Sequence, residues 1–186
     1  AKSADQVKVD YNNGAQVLGA NDANKNLSNG LVGYWKMDEA SWTIDCSTSS
    51  VLDASGNGNN GKSCPTTTGP AGGATGKFGN GGSFDGSNDY VTASITTLPS
   101  GSNARTMSVW FKLPNTSLPA APGVEIAGWG DNNGTGRRYS FWYDSSSKLG
   151  IEIQSESALF AWTPDTNWHN LVATYPSGGK LSDVIV

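Results

Sequence analysis

Charge is scarce in this sequence: Asp, Glu, Lys and Arg make up only 15% of 186 residues, and histidine occurs once, at position 169. A lone histidine leaves nucleophilic catalysis short of a base poised near neutral pH. No Gly-x-Ser-x-Gly elbow accompanies it, so His169 is expected to be a structural strand residue and the protein not to be an enzyme. Basic residues never cluster; "GRRY" at 136–139 is the only adjacent pair, and the net charge is −4. A protein that follows a phosphate backbone needs a basic stripe to displace counterions, so nucleic acid is not an expected partner. No stretch approaches the roughly 20 apolar residues of a membrane-spanning helix, and membrane insertion is not expected. Cysteine is limited to Cys46 and Cys64. Two thiols at this spacing make no structural zinc site. They flank a glycine-rich loop and are expected to close it as a disulfide, which implies an extracellular or cell-surface location. Two free thiols in a reducing compartment are the alternative.

What is abundant is glycine, at 24 residues, together with Ser, Thr, Asn and a set of seven Trp, six Tyr and five Phe. Short strands joined by long polar turns, with aromatic side chains supplying core volume, fit that mixture. Residues 1–29 read as an arm or linker, with a candidate helix over 3–13 capped by Ser3. A β-sandwich is expected from 30 to 186. "GLVGYWKMDE" (30–39) is dense enough for a buried strand, and 45–82 reads as a long, mostly irregular loop. In "TMSVWFKLP" (106–114), Met107, Val109, Phe111 and Leu113 alternate with Ser108, Trp110 and Lys112, the pattern of a half-buried strand. "RYSFWYDSSSKLGIEIQS" (138–155) predicts a hairpin turning at Asp144–Lys148. Its apolar face would carry Tyr139, Phe141 and Tyr143, then Leu149, Ile151 and Ile153. "ALFAWTP" and "WHNLVATY" continue the series, and strands at such spacing predict an all-β, antiparallel two-sheet sandwich.

The blocks "LVGYWKMDE", "DASGNGNNG", "GKFGNGGSFDGSNDYV", "TMSVWFKLP" and "WHNLVATY", in this order, resemble the laminin-G-like (concanavalin A-like) jelly-roll family of bacterial surface and secreted proteins. The resemblance covers about residues 30–186. It implies a jelly-roll sandwich and a non-catalytic binding or adhesion role toward a glycan or a surface protein. The family's pattern continues past "DVIV" with further strands, and "SADQVKVDYNNGA" looks like the tail of a preceding module. The sequence is therefore expected to be a segment of a multi-module protein. An incomplete sandwich would leave open edges, so self-association through such an edge, in a filament or stalk, is the alternative role.

Three sets of side chains are candidates for function. Asp53, Ser55, Asn57 and Asn59 fall on the D-x-S-x-N-G opening of an EF-hand-like calcium loop, with Gly58 at the sixth position. The twelfth position is Cys64 rather than a bidentate Glu, so an EF-hand is not expected. The family resemblance implies a structural calcium near such loops, with Asp38, Asp85 and Asp89 as carboxylates to finish its shell. Asx turns without a metal are the other reading. A second set is Trp42, Trp110, Trp129 and Trp142 with Asn132, flat aromatic faces and a carboxamide of the kind that bind sugars. Third, Glu152, Gln154 and Glu156 resemble the acidic strand of laminarinase-type glucanases, with Gln154 where the middle carboxylate belongs. Alternation would put all three on one face. Glycoside hydrolysis is the least expected function.

Overall fold

The structure, a computed structural model of the chain, describes residues 30–117, 119, 123–130, 138–153 and 156–179. The candidate helix over 3–13, Asn132, Gln154 and the "KLSDVIV" segment lie outside these residues. The described residues hold ten strands and no helix, so the fold is all-β. In order they are β1 (Lys62–Cys64), β2 (Ala71–Thr75), β3 (Asn80–Ser83), β4 (Tyr90–Thr92), β5 (Arg105–Phe111), β6 (Val124–Trp129), β7 (Tyr139–Tyr143), β8 (Lys148–Ile153), β9 (Glu156–Ala161) and β10 (His169–Tyr175).

The main core lies between two antiparallel sheets, β6-β7-β8-β9 and β10-β5. Pairing of Tyr139 with Ile153, Phe141 with Ile151 and Tyr143 with Leu149 puts the whole apolar set of the hairpin on one face. Tyr139, Phe141, Ile151 and Ile153 are buried there with Ala173 and Tyr175 of β10, and Met107, Val109 and Leu171 pack against them. Burying each large apolar side chain is worth about 1.5–3 kcal/mol, so period-2 alternation in β5, β7 and β8 is enough to clamp the two sheets. At one end Arg105 is 6% exposed. Its guanidinium sits 5.0 Å from the Tyr139 ring and 4.6 Å from that of Tyr175, and Nη1 donates to the Gly101 carbonyl at 3.0 Å. Burial pulls the Arg105 pKa below its usual value, against the opposing pull of Tyr175 and Tyr139. Burial also pushes the Tyr139 phenol up to about 12. That hydroxyl donates to the Ala173 carbonyl at 2.9 Å and ties the two sheets together.

Residues 30–99 build a smaller second layer. The expected strand over 30–39 is instead an extended segment with one bridge, Trp35 to Asp53. Met37 adopts φ 57°, which no regular strand contains. The stretch 45–82 is mostly irregular, as expected, but β1, β2 and the start of β3 lie in it. β1 pairs with β4, and β2 with β3. Their glycines concealed them from a reading based on β-branched residues. Gly72 and Gly82 make room for an indole, because a Cβ on either would come within 2.8 Å of the Trp42 ring. Cys46 and Cys64 form the expected disulfide across 18 residues, beside the fully buried Val51, Ser63 and Pro70.

Candidate ligand-binding face

The glycine-rich loop folds around Asp53. Its Oδ1 accepts the backbone N–H groups of Tyr34 and Ser55, both at 2.9 Å. Its Oδ2 accepts the Ser55 hydroxyl at 2.8 Å and the Asn59 N–H at 2.9 Å. Partial burial alone would raise the Asp53 pKa, yet the donors from Tyr34, Ser55 and Asn59 outweigh it and hold the carboxyl below its usual value. Asn57 and Asn59 turn their amides to the Leu31 and Val32 carbonyls, and the Asn59 carbonyl accepts the Trp35 indole N–H at 2.8 Å. Both Asp53 carboxylate oxygens, the Ser55 hydroxyl and the Asn59 carbonyl thus accept N–H or O–H donors, the hydrogen bonding of an Asx turn. Asp38 pairs with Lys36 at 2.7 Å. Asp85 and Asp89 close a separate turn in which Asp85 N–H donates to Asp89 at 2.8 Å. Among the described residues no three His, Cys, Asp or Glu side chains gather around one point.

The tryptophans divide sharply. Trp42 is buried at 7% exposure and donates its indole N–H to Glu39 at 2.8 Å, so it is a packing residue and not a platform. Trp129 belongs to the core rim, with its ring 4.8 Å from that of Tyr139 and its N–H on the Pro99 carbonyl at 3.0 Å. Trp142 lies across the sheet over Gly150, where a Cβ would stand 2.3 Å from its ring, and its half-buried indole is a sheet-packing group. Trp110 alone of the four remains broadly open, at 43% exposure.

Trp110 sits on the outward face of β5-β10, the face turned away from the core. Register places Trp110 beside Asn170, Ser108 beside Val172 and Thr106 beside Thr174. At 3.3 Å per residue, the strip from Thr106 to Trp110 runs about 13 Å. Asn170 donates to Ser108 Oγ and to the Val109 carbonyl, both at 3.2 Å, which fixes its amide. Phe78, 60% exposed, meets Trp110 edge to face at 5.7 Å between ring centres. The Lys77 ammonium lies 5.3 Å from the centre of the Trp110 ring, an exposed cation–π contact worth about 0.5–1 kcal/mol. Apolar ring faces, a fixed carboxamide and hydroxyls therefore share one flat surface. The alternation in "TMSVWFKLP" pointed to Trp110; nothing near Lys77-Phe78 in the sequence signalled that a loop some thirty residues earlier would lean on it.

The glutamates of the third set do not share a face. β8 ends at Ile153 and β9 starts at Glu156, with Glu152 opposite Ser157 and Ile153 opposite Glu156. The chain reverses between them, so Glu152 and Glu156 project on opposite sides of the sheet. Glu152 meets Arg138 at 3.5 Å, and Arg138 also holds Glu125 at 2.6 Å. His169 bonds Asp165 at 2.8 Å and packs on Phe111 and Trp162. No family model, curated protein or solved structure matches this chain.

Proposed function

We propose that the protein is a non-enzymatic binding module of a secreted or surface-attached protein, built as a laminin-G-like jelly roll, and that it takes a saccharide on the Trp110 face. The observation that carries this reading is the exposure of Trp110 and Phe78 beside Asn170 on one flat sheet surface. Sugars present apolar C–H faces and hydroxyl edges, and an open indole next to a fixed acceptor answers both. The Cys46–Cys64 disulfide supports an oxidising compartment. The test is a glycan array followed by calorimetry on the best oligosaccharide. Trp110→Ala should weaken binding by about 2 kcal/mol, roughly thirtyfold, with an unchanged melting temperature. An array without a binder would end the proposal.

A second reading, an assembly module, rests on β9. Among the described residues that strand pairs with β8 alone and leaves Leu159 and Phe160 exposed at 46% and 41%, an apolar edge of the kind that invites strand addition.

A further inference from the structure

Lys77 is out of keeping with its surroundings. The chain carries a net charge of −4, yet this exposed ammonium faces an indole rather than a carboxylate. Lys112, two residues beyond Trp110 and also exposed, adds a second cation at the same end of β5. The outward row of β5-β10 itself holds no acid: Thr106, Ser108 and Trp110 face Asn170, Val172 and Thr174. An ammonium held only by a ring face is held weakly and is free to exchange. A charge-assisted hydrogen bond to a carboxylate is stronger than an exposed cation–π contact, so an incoming carboxylate can draw Lys77 off the ring. Doing so uncovers the face on which a sugar ring would stack.

We infer that the Trp110 face selects acidic saccharides, hexuronic acid-containing chains whose carboxylate pairs with Lys77 while the sugar ring takes the indole face that Lys77 vacates. This inference rests on the saccharide reading above and sharpens it to a ligand class. Asn170 Oδ1 would accept from a ring hydroxyl, and Phe78 would wall the site beside Trp110.

The experiment compares oligogalacturonate with its carboxyl-reduced, neutral counterpart of the same linkage and length, by calorimetry at low salt. The wild-type chain should bind the acidic form at least about tenfold more tightly, and the ratio should shrink as salt screens the pair. Lys77→Gln should bring the ratio close to one by weakening the acidic form alone, whereas Trp110→Ala should weaken both. Equal wild-type affinity for the two forms, or an undiminished ratio in Lys77→Gln, overturns the acidic preference and leaves the saccharide reading standing. Binding of neither form, together with a blank glycan array, removes both.

Discussion

Asp53 accepts four hydrogen bonds, three from its own loop and one from Tyr34, and the same habit recurs at other aspartates of the chain. Asp45 accepts from Ser47 N–H and from the N–H and hydroxyl of Thr48; Asp144 accepts from Ser146 and Lys148. Hydrogen bonds from Thr48 lower the Asp45 pKa, those from Ser146 lower that of Asp144, and His169 with Asn167 lowers that of Asp165. A carboxyl whose pKa falls on folding stabilises the protein above its unfolded value, 3.8, and that contribution fades as pH drops through the folded value. Asp53→Asn would lose charge-assisted bonds and turn an amide donor toward the donors around it, a cost of about 2 kcal/mol near neutral pH. The gap in melting temperature between wild type and Asp53→Asn should therefore be widest near pH 7 and narrow well below 3.8. Because N–H and O–H groups already saturate Asp53, EDTA should leave the melting temperature unchanged. A fall of several degrees with EDTA, restored by calcium, would place an ion in the loop after all.

Elements owe their placement to where side chains are missing as much as to where they are present. Gly150 stands directly opposite Trp142 in the β7-β8 register, and the indole lies across the bare backbone there, the way aromatic residues cover sheet glycines. Gly150→Ala would place a Cβ 2.3 Å from the Trp142 ring and push the indole off the sheet, costing about 1–3 kcal/mol. The penalty should largely vanish in a Trp142→Ala background, since the clash is the coupling between the two; an equal penalty in both backgrounds would refute this packing. The same logic explains what was legible in the sequence at this scale. β5, β7 and β8 announce themselves by strict alternation, and the Asp144 turn by its Asp-Ser run. β2 ("AGGAT") and β3 ("NGGS") carry no such pattern, because their role is to leave space for Trp42. The opposite facing of Glu152 and Glu156 was hidden for a related reason: Gln-Ser at 154–155 continues the polar run of the sequence instead of interrupting it.

Among the described residues two sheets enclose the main core beside a smaller, disulfide-closed part, and β9 is an edge with exposed Leu159 and Phe160. If that edge adds a neighbouring strand, size-exclusion chromatography with light scattering should show mass rising with concentration, and Leu159→Lys should return the chain to monomer. A wild-type mass independent of concentration would leave the Trp110 face as the binding surface and discard the assembly reading. By itself the sequence determined the all-β class, the apolar face of each alternating strand and the polar turns, because alternation and Asx hydrogen bonds are settled within a few residues. Only the tertiary structure decided which tryptophan stays open. Trp42, Trp129, Trp142 and Trp110 all border polar sequence, and their fates diverge because burial depends on what the rest of the chain lays over each ring. Glycine backbones and a carboxylate receive Trp42, the core edge receives Trp129, a neighbouring strand receives Trp142, and among the described residues Trp110 meets Phe78 and an exchangeable lysine.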